Sequence, residues 1–154
     1  MLKIVLFQPE IPPNTGNIIR LCANTGCSLH LIQPLGFDLD DKKMRRAGLV
    51  YREFADIQLY PDLVTFREQQ GNPRLFAATT RGTISYHQAV YRSGDAILFG
   101  PETRGLPAAV LDGLDPSQRI RIPMREHSRS LNLSNAAALV AYEGLRQLGF
   151  PGLL

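Results

Sequence analysis

Several segments of this chain have the length of a β-strand and consist almost entirely of apolar residues. They span residues 2–7, 75–80 and 96–99. Such runs are typical of strands that are covered on both faces, as in a parallel sheet. Helical patterns lie between them, so the order of elements predicts an α/β fold with a mostly parallel sheet and helices on both faces.

Turn residues and periodicity predict the other elements. The loop of residues 8–17 is stiff because it is rich in proline and other turn residues, and it precedes a helix that Gly26 closes. Further strands are expected at residues 29–32, 57–60 and 119–122. Further helices are expected at residues 42–47, 61–70, 108–111 and 136–148.

The size and composition of the chain predict its organisation. With 154 residues, of which 44% are hydrophobic and 20% charged, residues 1–154 suit a single domain with a sizeable core. No apolar run is long enough to span a bilayer, and no signal-peptide pattern precedes the first strand. These features predict a cytoplasmic protein that does not enter a membrane.

The cysteines and histidines do not have the spacing of a metal site. Cys22 and Cys27 lack partner ligands, so buried thiols are favoured over a metal or redox role. His30, His87 and His127 have no cysteine or carboxylate partners at ligand spacing, and no metal is expected. For His127 an acid–base role and a solvated loop position both stay open, the solvated position being favoured.

Three loops share one design, in which a strand end is followed by proline or glycine and then by polar residues that enter a helix. They are residues 8–17, 100–107 and 123–135. In open α/β sheets, loops at the carboxyl ends of strands converge on a ligand site. The chain has no G-x-G-x-x-G, Walker P-loop or G-x-S-x-G motif, which argues against the usual dinucleotide, NTPase and hydrolase sites. The residues alone therefore predict a site for a small ligand or nucleotide.

Two further patterns bear on partners. In the last helix Ala137, Ala141 and Gly144 fall at helical spacing, so another backbone is expected to pack closely there. Two aspartates can cap a short helix that carries four basic residues. These residues, called the basic cluster below, are Lys42, Lys43, Arg45 and Arg46. With a net charge of +3, a polyanion contact and a solvated helix face are about equally supported for this cluster.

The amino-acid sequences in and around the three loops are more specific than the design that the loops share. They contain NTGNIIR at residues 14–20, LFGPETRGL at residues 98–106, and IRIPM followed by SLNLS at residues 120–124 and 130–134. In order and wording these resemble the three motifs of the SPOUT superfamily of RNA methyltransferases. The resemblance continues through residues 10–13, 41–43, 45–48 and 147–152, so it covers nearly the whole chain.

The resemblance implies a fold, an assembly and an activity. The chain would form a C-terminal deep trefoil knot that binds S-adenosylmethionine at the carboxyl end of the sheet, and it would act as a homodimer. The small-residue side of the last helix would suit the dimer contact. The reaction would be methylation of the ribose 2′-hydroxyl of wobble nucleotide 34, a cytidine or modified uridine, in leucine tRNA.

The matched motifs also imply roles for individual residues. Arg20 takes the catalytic role, and Glu102 and Asn132 shape the reacting end. Because a guanidinium keeps its proton in proteins, Arg20 is expected to hold the developing 2′-alkoxide, or a tRNA phosphate that accepts the proton. The residues expected to line the methyl donor are Ala78, Gly100, Ile122, Met124, Ser130 and Leu131. A side chain at Gly100 is expected to intrude where backbone must approach the ligand.

The basic cluster and Arg129 are expected to contact tRNA, which would lie across the dimer. Two other readings stay open on the sequence. One is an RNA-binding protein without catalysis, because fold does not fix function. The other is a nucleotide-dependent enzyme of another class, which the absent phosphate loops disfavour.

Overall fold

The computed structural model of the protein describes residues 1–50, 53 and 56–154. The strands are β1 (Lys3–Phe7), β2 (Ser28–Ile32), β3 (Gln58–Tyr60), β4 (Leu75–Ala78), β5 (Ile84–Ser85), β6 (Ala96–Phe99) and β7 (Arg119–Arg121). They form one sheet in the order β3-β2-β1-β6-β4-β7-β5, and every neighbouring pair is parallel. All the carboxyl ends therefore lie along one edge.

Helices cover both faces of this sheet. Those that lie wholly within the described residues are α1 (Pro12–Thr25), α2 (Asp41–Arg46), α3 (Leu63–Gln69), α4 (Ala108–Asp112) and α5 (Leu133–Gln147). Successive strand residues point to opposite faces. Ile4 and Ile97 join a core with α1 and α5, whereas Val5 and Leu98 join a second core with α3 and α4. The predicted α/β architecture is confirmed.

The predicted strands agree with the observed ones to within two residues, but β5 was not predicted. It comprises only Ile84 and Ser85, which pair with Ile120 and Arg121 of β7. Two residues are too few to show the alternation by which a strand is recognised.

The first helix begins earlier than predicted. Residues 8–17 were expected to form a loop, yet α1 starts at Pro12, with Ile11 as its N-cap and prolines in its first turn. Proline is tolerated there because the first N–H groups of a helix have no partner inside the helix. Gly26 ends α1 as predicted, with a φ of 77° and an N–H that donates to the Cys22 carbonyl oxygen.

The small-residue side of the last helix does not face a partner. Ala137 and Ala141 are fully buried within the protomer. A Cβ added to Gly144 would lie 2.6 Å from Leu2 Cδ1. The spacing predicted close packing of another backbone, but the side chain of Leu2 packs against Gly144 instead. Because this side is buried within the protomer, it is not available for the expected dimer contact. Helix periodicity shows that a face is small, and it does not show which element covers that face.

A buried polar network joins β2 to β3. The Tyr60 hydroxyl lies 2.8 Å from His30 Nδ1, donates to Gln58 Oε1, and accepts from Gln70 Nε2. Because its single proton goes to Gln58, His30 Nδ1 must be the donor to Tyr60. The other ring nitrogen, Nε2, then accepts from Ser28 Oγ at 2.8 Å. The network therefore fits a neutral imidazole.

This network predicts a specific pH dependence of stability. Burial lowers the pKa of His30 to about 4, from an ordinary value of 6.5. Above pH 6.5 the ring is neutral in both the folded and the unfolded chain. As the pH falls from 6.5 to 4, only the unfolded chain takes up the proton, so the free energy of unfolding should fall by about 1 to 3 kcal/mol.

Urea unfolding of wild type and His30→Gln over that pH range measures the effect. Carboxylates with lowered pKa values, such as Asp62 and Asp115, titrate in both proteins and cancel in the comparison. The wild-type stability should fall more steeply than that of the variant. Parallel curves would show that His30 is charged in the folded protein.

Candidate functional site

A cavity of about 460 Å³ lies at the carboxyl ends of β4 and β6, beside the loop that follows β7. It is lined by Ala78 at the end of β4, by the loop that starts at Gly100, and by residues 122–136. All six residues predicted to bind the methyl donor lie on its wall, together with Glu102 and Asn132. These six are Ala78, Gly100, Ile122, Met124, Ser130 and Leu131. The three loops therefore converge, as the parallel order of the strands predicts.

The shape of the second loop explains its glycine. A Cβ added to Gly100 would lie 2.6 Å from Leu106 N and 2.7 Å from the Gly105 carbonyl carbon. Backbone atoms at that distance cannot yield without moving the loop. The conformation of this loop by itself requires glycine at position 100. Close approach of a ligand was the expected reason, and it is not needed to explain the residue.

Two carboxylates hold the first and second loops together through reciprocal hydrogen bonds. Glu102 accepts from Glu10 N at 2.9 Å and from Ile11 N at 2.7 Å. In return, Glu10 accepts from the backbone N–H of Thr103 at 3.0 Å and from its hydroxyl at 2.8 Å. The hydrogen bond from the Thr103 amide is the main cause that lowers the pKa of Glu10. Both carboxylate oxygens of Glu102 accept hydrogen bonds from the first loop, so Glu102 positions the loops relative to each other.

An asparagine pair extends this link to the third loop. Asn14 donates to Glu102 Oε2 at 3.3 Å, and its own oxygen accepts from Asn132 Nδ2 at 2.9 Å. Asn132 in turn caps α5, because its side-chain oxygen accepts from Ser134 N and Asn135 N. The three loops are therefore joined through side chains from the first, second and third motifs.

Sequence reasoning gave no role to Glu10 or Asn14. Asn14 stands inside the first motif, which was a usable signal. Glu10 lies in the extension of the resemblance, residues 10–13, but nothing in the sequence indicated its partner Thr103, which is 93 positions away in the chain.

Arg20 lies apart from this cavity within one protomer. It lines a second cavity, of about 400 Å³, with residues of α1, the loop before α2, and α2 itself. Its Nε lies 2.6 Å from Glu53 Oε2, and its Nη2 donates to the Gly48 carbonyl oxygen at 2.6 Å. The Arg20 side chain is 50% exposed. Two nitrogens of the guanidinium are therefore held by the protomer, while half of the side-chain surface stays exposed.

The basic cluster lies on α2, as predicted. Asp40 caps this helix by accepting from Lys43 N at 2.8 Å, and Met44 anchors it in the core. All four cluster residues are exposed, and Lys43 also lines the Arg20 cavity. Arg129 is exposed in the third loop.

The described residues contain no group of three or more histidine, cysteine, aspartate or glutamate side chains that could hold a metal. Cys22 and Cys27 are buried free thiols, as predicted, and burial raises the pKa of both. His127 is exposed, with Nε2 lying 3.6 Å from Glu126 Oε1. None of the helices in the described part of the chain has the length and apolarity to cross a membrane.

Comparison with known proteins gives consistent matches. A family model described as the SpoU rRNA Methylase family matches residues 1–142. A tRNA (cytidine(34)-2'-O)-methyltransferase of Yersinia pestis is 61% identical over 159 residues, which span 100% of this chain and 98% of the relative. A solved structure concerning the 2-OH methylation of C/U34 on tRNA has a TM-score of 0.88 at 47% identity, and 97% of each chain is covered. An AdoMet-bound rRNA methyltransferase from Sinorhizobium meliloti has a TM-score of 0.82 at 25% identity, with 96% of this chain and 56% of that chain covered.

Proposed function

The chain belongs to the SpoU rRNA methylase family, and we propose that it methylates the ribose 2′-hydroxyl of wobble nucleotide 34 in leucine tRNA. The nucleotide would be a cytidine or a modified uridine. The family description names rRNA, but a relative that is 61% identical over its whole length is named for tRNA cytidine 34. A match of that extent favours tRNA over rRNA. The cytoplasm, where tRNA is modified, is the compartment that this substrate implies.

The observation that carries the proposal is the cavity at the carboxyl ends of β4 and β6. Its volume lies in the range of small-molecule sites. Ile122, Met124 and Leu131 give it apolar walls, and the loop from Gly100 to Leu106 supplies backbone amides and carbonyls. This donor set fits S-adenosylmethionine, whose adenine and thioether need apolar contact and whose polar ends need hydrogen bonds. When bound, it supplies an electrophilic methyl group.

Arg20 is the group proposed to act on the 2′-oxygen. A guanidinium does not give up its proton in proteins, so Arg20 does not serve as a general base. Its charge stabilises the negative charge that develops on the 2′-oxygen, or a tRNA phosphate that takes the proton. Glu53 and Gly48 hold two of its nitrogens, so its orientation is set before the RNA binds.

The position of Arg20 supports a homodimer. The cavity at the carboxyl ends of β4 and β6 is called the cofactor cavity below. Asn14 of α1 lines it, whereas Arg20 of the same helix lines the second cavity, beside α2. A protomer therefore does not bring its own Arg20 to its own cofactor cavity. We propose that Arg20 of one protomer completes the site of its partner. Leu139 and Tyr142 of α5 are 42% and 45% exposed, and they suit the dimer contact better than the buried small-residue side.

The trefoil knot expected from the resemblance is also part of the proposal. A Cβ on Gly82 would clash with the carbonyl carbon of Ile120 and would lie 2.6 Å from Arg121 N. Gly100 makes a similarly close backbone approach to Leu106. The Gly100 contact lies within one loop, whereas the Gly82 contact joins segments that are far apart in the chain. The close crossing at Gly82 supports the proposed knot, because crossing backbones need a residue without a Cβ.

Transfer of tritiated methyl groups to leucine tRNA from a strain lacking this gene tests the function. Incorporation should map to the ribose of nucleotide 34 and should vanish when that nucleotide is a 2′-deoxycytidine. An RNA-binding protein without catalysis would bind the tRNA and show neither incorporation nor a thermal shift with S-adenosylmethionine.

The basic cluster gives a separate prediction about tRNA. Replacing Lys42, Lys43, Arg45 and Arg46 together with glutamine should weaken tRNA binding at least about tenfold and should flatten its salt dependence. Each lost phosphate contact should reduce the slope of log affinity against log salt by about 0.7 to 0.9. Filter binding at several salt concentrations measures both effects.

Affinity for S-adenosylmethionine should stay unchanged in this variant, because none of the four residues lines the cofactor cavity. If tRNA affinity and salt slope match the wild type, the cluster is a solvated helix face.

A further inference from the structure

Gly16 is a glycine inside α1 that the fold of the protomer does not explain. It lies within the first turns of a helix that runs from Pro12 to Thr25. A Cβ added to Gly16 would meet no atom of the described residues within 4 Å. Glycine inside a helix lowers the stability of the protein relative to alanine. No contact of the described residues explains why glycine stands at this position. The other glycines near the sites have a reason within the protomer. Gly82 and Gly100 are packed against backbone, whereas Gly48 and Gly105 have a positive φ.

The surface over Gly16 is the cavity that holds Arg20. Pro12, Gly16 and Arg20 are spaced four residues apart and so share one side of α1. All three line this cavity, as do Lys43 and Asp38. The bare stretch of helix backbone therefore lies in a cavity that two cationic side chains also line.

The charges around the cavity indicate what approaches Gly16. The Arg20 side chain is 50% exposed, and the Lys43 side chain is 56% exposed. The rest of the basic cluster stands exposed on the same short helix as Lys43. The cavity also holds the carboxylate of Asp38, which lies 3.9 Å from Lys43 Nζ. The exposed cations of Arg20 and the basic cluster outnumber it, and a sugar–phosphate backbone carries the complementary charge. Charge thus favours a nucleic acid strand over a protein partner.

We propose that the ribose–phosphate backbone of the RNA strand carrying the methylated nucleotide passes over Gly16, through the cavity that Arg20 and Lys43 line. This inference rests on the proposed function and locates the substrate strand within that site. The absence of a Cβ lets the strand approach the helix closely enough for the Arg20 guanidinium to reach it. Gly16 is then a determinant of substrate binding, and its role is steric.

A steric series at one position tests the inference. Gly16→Ala should raise the melting temperature by about 2 °C, because alanine favours the helix. It should also raise KM for tRNA at least fivefold, and Gly16→Leu should raise it further. Affinity for S-adenosylmethionine should stay within twofold of wild type in both. The matched control is Gly113→Ala, at the end of α4, where an added Cβ would make only ordinary contacts at 3.6 Å.

Each outcome of the series decides the question. If wild type and Gly113→Ala methylate tRNA and both Gly16 variants keep the wild-type KM, the inference is overturned and the function stands. If the Gly16 variants become monomeric by light scattering, the occupant is a second copy, and the inference is wrong. If wild type itself shows no methyl transfer to tRNA, the proposed function fails, independently of Gly16.

Discussion

Arg20→Ala is expected to lower kcat for methyl transfer by about 100- to 1,000-fold, the usual cost of removing a group that stabilises a developing oxyanion. Binding of S-adenosylmethionine should change by no more than a few-fold, because Arg20 does not line the cofactor cavity. Single-turnover assays with saturating tRNA and cofactor measure the chemical step, and calorimetry measures the cofactor affinity. A loss confined to kcat is the signature of an interaction made in the transition state.

Two further variants sharpen this test. Arg20→Lys should also have a low kcat, because a compact ammonium replaces a planar guanidinium that binds with two nitrogens. Arg92→Ala is the matched control, since Arg92 is an exposed arginine that lines neither cavity. It should keep wild-type kcat. Wild-type turnover in Arg20→Ala would show that the family's catalytic role does not transfer to this residue.

Ala78→Leu is expected to weaken S-adenosylmethionine binding by about 100-fold, because added methylenes in a well-filled space cost up to about 3 kcal/mol. Ala78 ends β4 and faces the cofactor cavity, so a larger side chain there would occupy the space of the ligand. This position tests the site more cleanly than Gly100, where any side chain would displace the loop itself.

Thermal unfolding with and without cofactor gives the measurement for Ala78→Leu. A bound ligand raises the melting temperature of wild type, and the variant should melt near the wild-type temperature without showing that rise. Ala109→Leu serves as the control, because Ala109 is exposed on α4 and the cofactor should still stabilise this variant. An undiminished rise in Ala78→Leu would place the methyl donor outside this cavity.

Residue patterns along the chain predicted every strand except β5 and marked the three loops, although α1 begins inside the first of them. Apolar runs of four to six residues separated by helical segments leave few alternatives to a parallel sheet, and the carboxyl ends of parallel strands share an edge. This shared edge explains why Ala78, Gly100 and Ile122, which follow or end different strands, line one cavity. The individual residues were expected there from the motif resemblance, as were Glu102 and Asn132, which also line the cavity.

The tertiary structure decided which groups touch. Glu10 and Glu102 each accept hydrogen bonds from the other's loop. The two residues are far apart in the chain, so these bonds depend on where the two loops lie in space. The burial of Ala141 against the protomer's own core, and the separation of Arg20 from the cofactor cavity, depend in the same way on which side of a helix meets which neighbour. A sequence determines the period and polarity of each element locally, whereas the partner of each face is set by packing between elements far apart in the chain.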